Sequence, residues 1–290
     1  MLVGVAAEKM SVGGFTLVSV ISPGVITRAP NGCGGASFAR EPLAREELAG
    51  PGEFAEAELD RQRFNGRGPD GRGLDGRGPG LGGLAEVELG LLEFVVVDLE
   101  TTGWSPGAAA ITEIGAVRVK GDGEVGGGSR RGEFVRQGEF ASLVNPGMPV
   151  PLGIADLTGI TDWMLAVAPR LGAVLPGLLD FAQGCVLVAH NAPFDLGFLI
   201  AGCGDCGLAW PGFTVLDTVM LARQVMDPDE VPDCKLGTLA GFFGARTAPN
   251  HRALADARAT ADVLSWLIRR LAHRGIRTLK QLSAWPGVVA

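Results

Sequence analysis

The chain of 290 residues contains no tyrosine and only three histidines, and aromatic residues make up just 6% of it. Stacking on nucleobases would therefore have to use phenylalanine, tryptophan or apolar side chains. Basic charge is also scarce, with 25 Lys and Arg against 32 Asp and Glu and a net charge of −7. This argues against a protein that grips nucleic acid by bulk charge, since non-specific affinity comes from many cations neutralising phosphates. It leaves room for an acidic site that recruits cations. Five cysteines are too few and of the wrong parity for a disulfide scaffold, and they fit free thiols in a reducing cytoplasm. No apolar run approaches the ~20 residues that span a bilayer. The charge-free stretch from Met10 to Thr27 follows Lys9 as a signal peptide's apolar region would, but Gly13, Gly14 and Pro23 interrupt it and no A-x-A site follows.

Glycine is in excess, at 45 residues, or about twice its usual share of roughly 7%. The excess is local. Half of the residues from Gly66 to Gly83 are glycine, with a five-residue repeat running through Gly66-Arg67-Gly68-Pro69-Asp70 and Gly71-Arg72-Gly73-Leu74-Asp75. Such a segment buries too little apolar surface to offset its ordering entropy. Residues 1–88 are thus expected to form a mostly disordered extension and linker, with weak helix only around Leu43 to Ala49 and Glu53 to Arg63.

Beyond Leu91 the pattern alternates. Phe94 to Leu99, Ile111 to Lys120, Phe134 to Asn145, Val186 to His190 and Thr214 to Leu216 read as strands. Arg170 to Gln183, Pro193 to Cys203, Asp217 to Met226, Leu236 to Phe243 and Ala253 to Ala272 read as helices, and Gly121 to Gly138 as an expanded hairpin loop. Three strands in succession, followed by strand and helix in alternation, imply an α/β domain: a mixed five-stranded sheet flanked by helices over residues 89–275, with 276–290 a short tail.

Three segments carry chemistry. Asp98 and Glu100, two apart at the end of a valine-rich strand, point to the same face. Two adjacent carboxylates raise each other's pKa unless a cation lies between them, and a hard divalent ion suits their oxygens. The turn Thr101-Thr102-Gly103 follows, with hydroxyls and backbone donors suited to phosphate or sugar. In His190-Asn191-Ala192-Pro193-Phe194-Asp195 a strand runs into a helix whose first turn holds Asp195, where the macrodipole favours its anion. In His251 to Asp256 a spacing of five puts the side chains about 140° apart on one helix, so they converge only if His251 precedes the helix. His251 could then take a proton from water. Taken singly, the first two segments are better read as a solvated acid pair and a capped helix with a first-turn acid, and the third equally well as a surface histidine beside a solvated helix acid.

Together, the order D-x-E, H-N-x-x-F-D, H-x-A-x-x-D resembles the DEDDh family of 3′–5′ exonucleases, which includes the epsilon proofreading subunit of DNA polymerase III, ribonuclease T and oligoribonuclease. Asp156-Leu157-Thr158-Gly159-Ile160-Thr161 looks like the family segment bordering its nucleotide pocket. The stretch from Phe94 to Leu271 is also similar to actinobacterial proteins in which this domain precedes a GIY-YIG endonuclease-like domain; no segment of these 290 residues reads as that second domain. The resemblance implies a ribonuclease H-like fold and a two-ion site for Mg²⁺ or Mn²⁺, with Asp98 bridging, Glu100 and Asp256 completing one position, Asp195 holding the other and His251 as general base. Thr101, Thr102, Gly103, Asn191 and Phe194 would line the substrate. DNA with a free 3′ end is the expected substrate in the cytoplasm beside the nucleoid, with an oligoribonuclease-like RNA enzyme or a non-catalytic binding module as alternatives. A DNA polymerase or sliding clamp is a candidate partner, and Gln281-Leu282-Ser283-Ala284-Trp285 faintly resembles a clamp-binding peptide, although a small C-terminal helix is its simpler reading.

Cys203-Gly204-Asp205-Cys206 has zinc-like spacing without a second ligand pair, so burial is its simpler reading. His190 is expected to orient its loop, and His273 to sit on a solvated helix end. If the first 88 residues are a linker, deleting them should leave the melting temperature and the turnover of a short oligonucleotide nearly unchanged; a large loss of either would show that the extension packs on the domain.

Overall fold

The computed structural model describes residues 8–12, 15–19, 83–121 and 134–289. The chain divides into a unit made of Met1–Ile21 and Arg77–Ala290 and a second, Ser22–Gly76, which lies outside the described residues together with both expected N-terminal helices. Most of the glycine repeat and of the Gly121 to Gly138 loop also falls outside them.

The strands are β1 (Glu8–Val12), β2 (Phe15–Ser19), β3 (Glu93–Thr101), β4 (Ile111–Lys120), β5 (Val135–Leu143), β6 (Val186–Ala189) and β7 (Val215–Asp217). They form one mixed sheet in the order β1-β2-β5-β4-β3-β6-β7. The five strands expected from the sequence are β3 to β7, with β5, β4 and β3 antiparallel and β3, β6 and β7 parallel. The hairpin of β1 and β2 joins at the β5 edge, β2 running parallel to β5. The helices are α1 (Leu152–Thr158), α2 (Asp162–Ala166), α3 (Leu171–Ala182), α4 (Ala192–Asp205), α5 (Thr218–Val225), α6 (Leu236–Phe243), α7 (Ala253–His273) and α8 (Leu279–Leu282). Of these, α1 and α2 have no counterpart in the periodicity: at seven and five residues they are too short to display a face.

The alternation of β3 explains the layers. Phe94 and Val96 face a core shared with Leu221, Leu239, Leu264 and Leu267 of α5, α6 and α7. Val95, Val97 and Leu99 face the opposite core, built on Leu175 and Leu178 of α3 and Phe198 and Leu199 of α4. Asp98 and Glu100 continue the first face, so they emerge beneath α7. Room for that helix comes from Gly115, paired with Asp98 across the sheet. A Cβ at Gly115 would lie 2.2 Å from the backbone carbon of Ala253, far inside contact distance, so only glycine lets the start of α7 rest on β4.

The domain extends beyond both expected boundaries. Leu84 and Val87 pack on the first core, where Leu89 is buried, and Glu88 bridges to Thr278. The segment expected as a tail, residues 276–290, supplies Leu279, Leu282 and Val288 to the same core. A deletion that spares this packing must therefore stop before Gly83, not at residue 88, and one that spares the sheet must also keep β1 and β2, which fall inside the expected disordered extension yet pair with β5. The clamp-like peptide is consumed by the fold as well: Leu282 is 0% exposed, and Gln281 Oε1 accepts from the Arg277 and Thr278 amides in a capping box. A partner could not take up Leu282 without unfolding α8. Replacing Leu282 with alanine should cost about 2–5 kcal/mol, the usual range for a buried leucine, as read from denaturant unfolding. A loss below about 0.5 kcal/mol, typical of surface positions, would show the segment to be peripheral.

Candidate active site

Asp98, Glu100 and Asp256 place one carboxylate oxygen each within 4.8 Å of one another. Asp98 and Glu100 come from the C-terminal half of β3, and Asp256 from the first turn of α7, the end of a sheet's parallel strands where ligands gather in α/β folds. Asp195, 4% exposed, stands in the first turn of α4 and meets this group from the other side. Strand β6 pairs with β3 only as far as Val96, so beyond it the β3 backbone has an open edge. The Leu99 amide on that edge donates to the Asp195 carboxylate. Burial pushes the Asp98 pKa well above the carboxylate range, and the charges of Asp195, Asp256, Glu100 and Glu113 push it further. Burial, with Asp256 and Glu113, lifts Glu100 to about 8 against a partial offset from Arg252. Asp195 and Asp256 are raised as well, chiefly by burial.

Two helix starts determine this geometry, and both are strained. Among the described residues the only non-glycine backbones with positive φ are Asn191 at 73° and His251 at 57°. Each such residue costs about 1–3 kcal/mol and persists only where its surroundings enforce it. At Asn191 the enforcement is Asp217. Its buried carboxylate accepts from the amides of Asn191 (3.3 Å) and Ala192 (3.0 Å) and also caps α5 through Val219 (2.8 Å) and Met220 (3.3 Å). His190 lies behind this turn, its Nδ1 2.9 Å from Thr218 Oγ1, and burial lowers its pKa to about 4. Its ring is thus tied to the start of α5. At His251 the Asn250 amide donates to Asp256 Oδ1 at 2.8 Å, and the imidazole is exposed.

The structure thus brings Asp98, Glu100, Asp195 and Asp256 into one electrostatic unit, with His251 at its rim. The expected substrate residues divide. Asn191 is exposed, and Phe194 packs between Phe198 (ring centroids 5.1 Å apart) and Trp104 (6.2 Å). Trp104 is 63% exposed and offers a stacking face. The Thr101 and Thr102 hydroxyls instead hold their own turn. Thr101 Oγ1 donates to the Gly103 carbonyl at 2.6 Å, and Thr102 Oγ1 accepts from the Ala110 amide at 3.0 Å. Sequence reasoning passed over Asp217, Glu113 and Arg252. A charged Glu113 inside the apolar run Ile111 to Val117 was a signal, since a buried charge demands a partner; so was Asp217 between a strand and a helix, a strong N-cap position. The described cysteines, Cys185, Cys203, Cys206 and Cys234, are free thiols.

Acids that are buried or half-buried and meet at the C-terminal edge of a mixed, ribonuclease H-like sheet define a class, the exonucleases built on that fold. The family model described as Exonuclease matches residues 95–264, more than half of the sequence, and the chain belongs to this exonuclease family. A bifunctional exonuclease/endonuclease protein of Mycobacterium tuberculosis is 46% identical over 206 residues, covering 69% of this chain and 30% of its own length. A DNA polymerase III subunit epsilon-like protein of Rhodobacter capsulatus is 42% identical over 203 residues, covering 69% and 27%. The chain spans less than a third of either relative. The solved structure of exonuclease I superposes with a TM-score of 0.50 at 16% identity over 63% of this chain and 44% of its own, a likeness of fold alone.

The carboxylate set suits a hard divalent cation, which relieves the repulsion that burial amplifies. This has a pH consequence. Glu100 titrates near 8 in the folded protein against an ordinary 4.5, so between those values the native state holds protons that the unfolded chain releases. Stability then falls as pH rises through the window. Without divalent metal the melting temperature should decline from about pH 5 to about pH 8, and Mg²⁺ or Mn²⁺ should restore more of it at the upper end than at the lower. Thermal melts in EDTA and in metal-containing buffers check this; a cation-free melting temperature that climbs over the same range would contradict it.

Proposed function

We propose that the domain is a metal-dependent 3′–5′ exonuclease that trims DNA ends. The observation that carries this reading is the convergence of Asp98, Glu100 and Asp256 within 4.8 Å, beside a buried Asp195 and an exposed histidine. A binding-only module gains nothing from buried carboxylates that repel phosphate, whereas hydrolysis of a phosphodiester needs groups that gather cations.

In this reading Asp98, Glu100, Asp256 and Asp195 hold two Mg²⁺ or Mn²⁺ ions. When bound, the ions neutralise charge on the attacking and leaving oxygens and favour ionisation of water. The chain's own residues do the remainder. His251, exposed at the rim, accepts the proton of the attacking water at its imidazole nitrogen. Trp104 and Phe194 present aromatic faces on which a terminal base can stack, and Asn191 reaches solvent from the same turn. The backbone edge of Thr101-Thr102-Gly103, held rigid by its own hydroxyls, faces the sugar and phosphate.

The 3′ polarity follows the resemblance of the D-x-E, H-N-x-x-F-D and H-x-A-x-x-D motifs, as does a place in the cytoplasm near the nucleoid; the choice of DNA and of a polymerase partner draws on the name of the epsilon-like relative. With a net charge of −7 the chain has little intrinsic hold on a strand, so processivity would come from such a partner. None of the helices among the described residues is long and apolar enough to cross a membrane.

Purified protein with Mg²⁺ or Mn²⁺ should release mononucleotides from single-stranded DNA and from mismatched 3′ ends, and EDTA should stop it. Asp98→Ala should abolish turnover, and His251→Ala should lower it by about 10²–10⁴-fold, the usual general-base contribution, with metal binding retained. Faster release from RNA of the same sequence would move the substrate assignment to an oligoribonuclease-like enzyme. No release from either polymer with any metal would overturn the reading.

A further inference from the structure

We infer that Glu113, acting through Arg252, is a positioning residue that holds His251 in its left-handed backbone conformation. The inference rests on the exonuclease reading, because it assigns a purpose to a clamp around that site's base.

Glu113 lies directly opposite Glu100 in the β3–β4 register, as Gly115 lies opposite Asp98. Paired residues of antiparallel strands share a face, so Glu113 and Gly115 both look up at the start of α7. Gly115 lets the helix descend onto the strand, and Glu113 hooks it there. Glu113 Oε1 accepts from Arg252 Nη2 at 2.7 Å, and Oε2 accepts from Arg252 Nε at 3.0 Å and from the Ala253 amide at 2.9 Å. The N-cap residue Arg252 makes no side-chain cap of its own; a carboxylate from the sheet satisfies the helix's first amide in its place.

This fixes the residue after His251 in both side chain and backbone. The residue before it, Asn250, is fixed by the hydrogen bond that its backbone N–H donates to Asp256 Oδ1. His251 is thus pinched between two carboxylates. One of them, Asp256, belongs to the acidic triad. Glu113 does not: both of its oxygens are engaged by Arg252 and Ala253, so it meets the acids only through space, as a charge that raises Asp98 and Glu100, and its bonded connection runs to the histidine loop. A non-glycine residue at φ 57° relaxes once the groups on either side are released, and the imidazole then loses its fixed position.

The full chain, assayed with Mn²⁺ on a single-stranded DNA oligonucleotide, tests this. Glu113→Ala should lower kcat by about 10–100-fold, the range seen when a group supporting a site residue is removed. KM and Mn²⁺ affinity should stay within about threefold, and Glu113→Gln, which can still accept from the Ala253 amide, should recover part of the rate. In a His251→Ala background the same substitution should change kcat by less than about threefold, because groups that act as a unit are not additive. With only three histidines, the imidazole signals in ¹H–¹³C spectra can be followed one by one: that of His251 should shift or broaden while those of His190 and His273 hold. Should Glu113→Ala fail to fold, Arg252→Lys, which loses the bidentate geometry but keeps the charge, carries the same readouts. Equal losses in both backgrounds, a fall in Mn²⁺ affinity like that of Asp256→Ala, or an unaltered kcat would each overturn the inference. An inactive wild type would remove the exonuclease reading itself; an active wild type matched by the Glu113 variant removes only the clamp.

Discussion

Four carboxylates at one sheet edge, Asp195 and Asp256 buried and Asp98 and Glu100 half-buried, repel one another, and the architecture around them makes sense as the means of holding them there. A chain that merely folded would dilute such charges into solvent, where they cost nothing. Here burial raises the pKa of Asp98, Glu100, Asp195 and Asp256 together, a mark of groups held for a purpose other than stability. The supports that offset the repulsion are local and directional. The Leu99 amide serves Asp195, the Asn250 amide serves Asp256, and Arg252 brings a positive charge near Glu100.

Both mobile-looking elements of the site, the turn at Asn191 and the loop at His251, are secured by carboxylates that belong to neither loop. Asp217 reaches from the end of β7 to gather four amides, and Glu113 reaches from β4 to the start of α7. Sheet strands are the stiffest parts of a small α/β domain, so precision is delivered from the sheet to the loops. Functional groups on loops positioned by a rigid scaffold are a general solution; in this domain the scaffold's grip is visible atom by atom.

The sheet and its long helices were legible because their signals are periodic. The valine-rich β3 and the apolar stripe of α7 declare themselves within a few residues, and the observed limits fall close to those expected. The acids Asp98, Glu100, Asp195 and Asp256 were legible because they recur at fixed offsets from strand and helix ends. What escaped were long-range relations. Nothing near Glu113 announces that its partner is Arg252, 139 positions away, or that Gly115 is the cleft for a helix. The C-terminal segment was misjudged for the same reason: Leu279, Leu282 and Val288 look like scattered apolar residues of a tail until the core that receives them exists. The hydroxyls of Thr101 and Thr102 read from the sequence as suited to phosphate or sugar, whereas in the fold Thr101 bonds to the Gly103 carbonyl and Thr102 to Ala110 and Met148, partners that lie beyond the reach of a local pattern.

The packing of residues 276–289 against residues 84–92 also sets a schedule. Glu86 pairs with Lys280, 194 positions later, and Leu89 and Leu279 are neighbours in one core. On a ribosome adding about 5–20 residues per second, that interval lasts about 10–40 s. Until the far end of the domain emerges, the first core stays open along β3 and α7, and its apolar surface is exposed to whatever surrounds the nascent chain. The domain closes last at the point where its two ends meet.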